Sequence, residues 1–494
     1  MSTQRYSSIR FRRLGLGFVS AALVGVCTPA QAHFFTQPYT LPVPFAMYAW
    51  SAAAALILSF VVVGLFAVPK LRPPVTDQDT SSSRVVPMAI IRVGRAGSVL
   101  ALAVCVITGW FGTQASLENL SMTLFWIVFV LFVPYLCAFL GDYYAAISPW
   151  RTLVAVAERY AGRPFTGAFA YPARASYWPA LALYIVFIWI ELFGQFHPSG
   201  LANTLLIYTA LNFIGAWAFG TRVWFHYGEF FAVFLRLISS MAPVAWHTDN
   251  TGRDVRISLR PPFSELAAMK AESLAMAVFI LFMLSSTAFD GLHGTQPWVN
   301  SFWKYVYPVF APLLGASAPE QIAAGTWFYH DWQVAIFLMS PAIYLVIFWI
   351  CITLARQLSK TSLGMRDLIL RFAPSLIPIA FVYHATHYYT ILLAQGSQLP
   401  RLISDPFGAG WNLLGISMSH FNALLLQVDF IWHSQVALIL IGHIISVYLA
   451  HIVALRVFGG PGAAAASQVP MLVLMVLFTT FGLWILSLPL TAGG

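Results

Sequence analysis

The sequence predicts an all-α, polytopic membrane protein of about ten transmembrane helices, and three observations carry that prediction. Hydrophobic residues make up 59% of the 494 and charged residues only 9%, where a soluble domain has roughly a quarter charged. Mean hydropathy is +0.77, and the apolar residues gather in runs of about 20, the length that crosses a bilayer. Lys and Arg fall almost wholly in alternate segments between those runs, which is a topology signal. The formal net charge of +9 therefore does not point to nucleic acid, and no basic patch interleaved with exposed aromatics accompanies it.

The first element is a leader. Residues 1–32 read as a cleavable signal peptide: Arg5, Arg10, Arg12 and Arg13 form a basic n-region, Leu14 to Val26 a short apolar stretch, and Ala30-Gln31-Ala32 a small-x-small cleavage site. Cleavage after Ala32 leaves His33 as the first residue of a single membrane domain, 33–494. A terminal α-amine and the imidazole of the same residue can chelate one metal ion together. Of the four cysteines, Cys27 lies in the leader, and Cys105, Cys137 and Cys351 sit in separate apolar runs, where thiols pack as small hydrophobes.

Ten apolar runs follow, near 43–68, 97–113, 121–140, 177–196, 200–221, 267–290, 332–355, 368–395, 431–455 and 468–489. With residue 33 outside, the inward segments hold twenty of the 26 Lys and Arg, the leader four, and the outward segments only Lys304 and Arg401. Under the positive-inside rule this places both mature termini on the periplasmic side of a bacterial inner membrane. Val223 to Val244 is apolar enough for an eleventh span, but a span there would reverse this parity, so the sequence predicts an interfacial helix on the inner surface. Phe302 to Leu314 is expected to lie in the outer interface. No internal repeat is visible, which disfavours a transporter.

The polar residues concentrate toward the outer side. His33, His197, His293, His330 and His420 fall in outer segments or helix mouths, His384 and His387 in the outer third of the eighth run, and His433 at the outer end of the ninth. Glu191, Asp290, Asp331 and Asp429 accompany them. Ionisable groups at membrane depth are costly and usually face a bundle interior. His384 and His387, spaced i, i+3, share a helical face suited to one cation. Asp429 and His433, spaced i, i+4, suit a carboxylate orienting a ligand imidazole. His226 and Glu229 have similar spacing but read as a solvated pair on the inner surface, and His443 and His451 as histidines bonded between helices. No H-E-x-x-H, Walker A, G-x-S-x-G or C-x-x-C-H motif is present.

Several stretches resemble one family. They are Tyr39-Thr-Leu-Pro-Val-Pro-Phe45 with the helix after it, the Trp-rich inner loops and Asn212, Tyr177-Trp-Pro-Ala with Trp189-Ile-Glu191, and Ser286-Thr-Ala-Phe-Asp-Gly-Leu292. Further along come His387-Tyr-Tyr, Ser404-Asp-Pro-Phe-Gly-Ala-Gly-Trp411, Gly442-His443 and Ala450-His451. Together, over nearly the whole mature chain, these resemble the bacterial membrane-bound fenitrothion hydrolases, which cleave organophosphorothioate triesters. The resemblance implies hydrolysis of a P–O–aryl bond and a second, related membrane subunit, and it supplies no catalytic residues.

The residues themselves suit such chemistry through a metal-activated water. The expected site holds a divalent metal, copper or zinc, with His384 and His387 as ligands and His433 or His33 completing the set. Asp290 or Asp429 would be the supporting carboxylate or general base. The apolar substrate would arrive through the lipid bilayer. A rival reading from the same histidines is a periplasm-facing copper- or metal-handling protein without catalysis; a haem-binding electron-transfer subunit is a further one.

Overall fold

The computed structural model describes residues 44–66, 83–194, 197–248, 255–314, 318–416, 427–458 and 460–488; the leader, His33 and His420 lie outside them. Nine helices among the described residues are long and apolar enough to cross a membrane. They are α1 (Phe45–Phe66), α2 (Met88–Phe111), α3 (Leu120–Leu140), α6 (Pro198–Phe219), α9 (Leu274–His293), α10 (Ala318–Ser359), α11 (Met365–Gly396), α12 (Val428–Val457) and α13 (Pro461–Ser487). The fourth apolar run is the shorter α5 (Trp178–Phe193), and between the spans lie α4 (Pro149–Tyr160), α7 (Thr221–Tyr227) and α8 (Phe230–Ser239). The chain is an all-α polytopic membrane protein.

The apolar surface sorts these helices. Nearly every residue of α9 is buried, whereas α1 and α2 leave most of their surface free, as helices facing lipid do. Around α9 pack α5, α10 and α11; α12 and α13 close the far side, and α2 lies against α6 at the periphery. Within α3 the stretch Thr123–Phe132 is wound as a π-helix, just ahead of Pro134. Such widened turns are rare and cluster at functional sites.

Contacts between loops agree with the charge parity. A three-stranded antiparallel sheet joins β1 (Arg84–Val85) to β3 (Val255–Leu259) and β3 to β2 (Val244–Thr248), with Arg84 opposite Ile257 and Val244 opposite Leu259. Lys270 pairs with Asp367 at 2.6 Å, and Arg456 Nη1 donates to the Ala267 carbonyl at 2.5 Å. These segments share the arginine-rich end. At the opposite end the Thr113 amide donates to the Phe407 carbonyl at 2.8 Å, and Arg401 reaches the Leu117 carbonyl at 3.5 Å. The stretch from Phe302 to Leu314 is helical and packs by Phe302 and Trp303 against Phe328, Tyr329 and Trp332.

One expectation is overturned. Val223 to Val244 is not a surface helix but part of a re-entrant hairpin that enters and leaves at the arginine-rich end, so parity is unchanged. After Gly220, whose φ of +90° turns the chain, α7 climbs back along α6. Trp224 lies on Gly215 and donates Nε1–H to Asn212 Oδ1 at 2.8 Å. Glu229 at the tip receives the Tyr208 hydroxyl, halfway along α6. Phe231 of α8 then packs on Phe125, Phe129 and Phe187, and the chain descends to Val244 beside Gly141.

Backbone at membrane depth must have its polar groups satisfied, and Glu229 supplies this at the turn. Its Oε1 accepts from the Phe231 amide (3.0 Å) and its Oε2 from the Ala232 amide (2.7 Å), capping α8. Glu229 is therefore wholly buried, not solvated.

The slot for Trp224 depends on absent side chains. A Cβ on Gly215 would stand 2.2 Å from the indole, and one on Gly228 2.4 Å. Gly215→Ala is expected to cost about 1–3 kcal/mol, the usual range for overpacking, seen as a lowered unfolding midpoint in detergent. Gly97→Ala, whose added carbon meets nothing within 4 Å, is the control and should leave the midpoint unchanged.

Candidate functional site

Near the arginine-poor ends of α5, α9 and α11 the structure brings Glu191, Asp290, His293, His384, His387 and Tyr388 together. Asp290 is at the centre and is only 6% exposed. Its Oδ2 lies 2.8 Å from His387 Nε2 and accepts the Tyr388 hydroxyl at 2.5 Å. Its Oδ1 is 3.8 Å from His293 Nδ1, and that nitrogen sits 2.7 Å from the Asp290 carbonyl. Glu191 faces Asp290 and Tyr388 from α5. The Tyr388 phenol thus lies beside one buried carboxyl, Asp290, and one half-buried, Glu191.

Helical periodicity explains which side chains arrive. Asp290 and His293 are one turn apart on α9, and His384, His387 and Tyr388 share the face of α11 turned toward α9 and α5. The next residue, Tyr389, turns the other way, to Ser434 Oγ (2.7 Å) and the Ile431 carbonyl (3.0 Å) of α12. Both imidazoles lie against the Tyr388 ring, with centroids 4.8 Å away for His384 and 4.6 Å for His387. His384 further packs on Tyr135 and Phe234.

Beside this group lies a cavity of about 30 Å³, space for a water molecule or two. Glu191, Tyr388, His384 and Ser286 give it polar walls, and Phe187, Phe230, Phe231 and Phe234 apolar ones. The re-entrant hairpin therefore forms one wall of the site, a role that reading the stretch as a surface helix had hidden. Spacing alone assigns Glu191 no role; its signal in the sequence is a carboxylate within the apolar run at Trp189-Ile-Glu191.

Two of the remaining expected residues are elsewhere. His433 and Asp429 are exposed on α12. Spacing of i, i+4 put them on one face, but His433 Nδ1 meets the Asp429 backbone carbonyl at 2.6 Å, and its Nε2 lies 3.4 Å from the Tyr48 hydroxyl of α1. These two side chains of α12 do not join the Asp290 group, because α11 turns Tyr389 and Thr386, not His387, toward α12. Among the described residues no three His, Cys, Asp or Glu side chains converge to hold a metal ion. Asp290 and His387 supply two donors of the right chemistry, and among the described residues no third closes the set.

At the arginine-rich end a second polar group ties the hairpin down. His226 lies 3.5 Å from Glu272 and 3.3 Å from the Tyr177 hydroxyl, while Arg236 Nη2 donates to the His226 carbonyl at 2.8 Å. The hydrogen bond from His226 above all holds the Glu272 carboxyl down to about 2. No protein-family model matches the chain, and comparison with characterised proteins and with solved structures finds none similar to it.

Proposed function

We propose that this protein is a membrane-embedded hydrolase of neutral organophosphorothioate triesters such as fenitrothion, with the Asp290–His387 pair as its base. The observation that carries the reading is the 2.8 Å contact of a buried carboxylate with an imidazole, next to Tyr388 and His384, which line a cavity of water size. Carboxylate–imidazole pairs serve as general bases because the carboxylate orients the ring and stabilises the imidazolium that forms. The resemblance to the membrane-bound fenitrothion hydrolases supplies the substrate class.

The chemistry fits the surroundings. Such triesters are uncharged and apolar, so they dissolve in the bilayer and reach a site between helices from the side. Water attacks phosphorus, the P–O–aryl bond breaks, and the nitrophenolate leaves without strong acid assistance. The proton lost by the water goes to the His387–Asp290 pair. Tyr388, hydrogen-bonded to Asp290, fixes the carboxylate's direction. On this reading the site faces the periplasm from the inner membrane, and a second, related membrane subunit completes the enzyme.

The test is nitrophenol release from a dimethyl nitrophenyl phosphorothioate by membranes containing the chain, with and without a co-expressed related subunit, before and after chelation. Release that survives chelation supports the Asp290–His387 base. Release abolished by a chelator and restored by zinc or copper would assign a divalent metal to His384 and His387, with His33 or His433. No release in any arm, with the protein present in the membrane, would reject the hydrolase. It would favour the metal-handling alternative, for which the exposed ring of His433 beside Tyr48 is the supporting contact.

A further inference from the structure

The hydrolytic reading uses only the upper part of a ladder of protonatable groups that crosses the whole bundle. At the arginine-rich end, His226 and Glu272 are 38% and 46% exposed and 3.5 Å apart. One turn beyond His226 on the climbing arm, Glu229 lies at mid-depth against the Tyr208 hydroxyl, with Arg151 and Tyr144 facing it from the α3–α4 side. At the other end stand Glu191, Tyr388, Asp290, His387 and His293.

A short aromatic stack joins the two halves. The Tyr208 ring packs on Phe230 with centroids 5.5 Å apart, and Phe230 stacks on Tyr184 at 5.8 Å. The Tyr184 side chain faces Ser286 and Glu191. The water-sized cavity touches Phe230, Tyr184, Ser286, Glu191 and Tyr388 together. The Phe230 ring is thus what stands between the Glu229–Tyr208 pair and the polar wall of the cavity.

Carboxyls and imidazoles are expensive inside a membrane, and where they persist in series they carry protons. Helix capping accounts for Glu229 and water activation for Asp290. Neither accounts for Glu191, nor for the alignment of all three along one path.

We propose that the bundle conducts protons between its two ends through Glu229, Tyr208, water in the cavity, Glu191 and Asp290, with Phe230 as the gate. A proton taken up at His226 or Glu272 passes to Glu229. The Tyr208 hydroxyl accepts it and releases its own proton to cavity water when the Phe230 ring swings aside. From water the proton moves to Glu191, across the Tyr388 hydroxyl to Asp290, and out by His293. Each carrier returns to its starting state, so the net event is one proton moved.

This does not rest on the hydrolytic reading, because proton flux is measured without a triester. The full-length protein is reconstituted into liposomes enclosing a pH-sensitive dye, and a potassium diffusion potential drives protons inward. Uptake is expected to exceed that of protein-free vesicles about tenfold, and Glu191→Gln and Glu229→Gln should each cut it about tenfold. Glu229→Asp, which keeps a carboxyl, should retain most of it, and Phe230→Ala should raise it. A single monodisperse elution peak before reconstitution shows that each variant is folded. Wild-type uptake no greater than that of protein-free vesicles overturns the proposal. So does wild-type flux in folded Glu229→Gln and Glu191→Gln proteins.

Discussion

Asp290→Asn is expected to lower nitrophenol release about 10³-fold, within the range lost when a positioned base is removed. The substitution preserves size and removes the charge that holds two donors. Asp290 Oδ2 now receives both His387 Nε2 and the Tyr388 hydroxyl. An asparagine oxygen accepts either group less strongly, and its amide would turn a donor toward one of them. His387→Ala should lose a similar factor, and the double variant little more, because the two residues act as a unit. Tyr388→Phe removes only the alignment of the carboxylate, so its loss should be smaller, about tenfold. The assay is kcat for nitrophenol release at matched membrane content, with KM recorded. If Asp290→Asn keeps more than about a tenth of the rate, proton abstraction lies with another group and the base is misassigned.

The site and the fold were legible in the sequence to different degrees, for physical reasons. Helix type and span positions follow from hydropathy, because a bilayer demands long apolar runs whatever they pack against. Parity followed from the arginines, and the pairing of Arg84 with Ile257 and of Lys270 with Asp367 agrees with it. The hairpin was misread because α7 and α8 are each too short to register as a span. A charge in mid-run was the available clue: Glu229, preceded by Gly220 and Gly228, interrupts the largely apolar stretch Phe225 to Leu235.

Within the site, local spacing placed His384 and His387 on one face but not what each would touch. The Asp290–His387 contact spans 97 positions of chain, since α9 and α11 meet only through tertiary packing. Asp429 and His433 show the limit of spacing from the other side. An i, i+4 imidazole can meet the backbone carbonyl below it as well as the side chain, and here it meets the carbonyl.

Glu229→Leu is the substitution expected to cost the most stability, about 3–5 kcal/mol. Three donors now end on this carboxylate: the Phe231 and Ala232 amides and the Tyr208 hydroxyl. Leucine fills a similar volume and accepts nothing. Loss of a helix cap alone costs about 0.5–2 kcal/mol, and each buried donor left unpaired about 1–3. At mid-depth no bulk water replaces the lost acceptor. Tyr208→Phe removes one donor and strands no backbone group, so it should cost about 1 kcal/mol. Because both single changes delete the same hydroxyl contact, the double variant should fall short of their sum. Unfolding followed by tryptophan fluorescence during denaturant titration reads all three variants. A Glu229→Leu loss below about 1 kcal/mol would mean that the cap does not hold the hairpin and that packing of Trp224 against Gly215 does. If the larger loss is found, Phe230 and Phe231 can form a wall of the cavity only while Glu229 keeps its three donors. Stability of the hairpin and integrity of the site are then one property, and hydrolysis and proton flux should fall together in this variant.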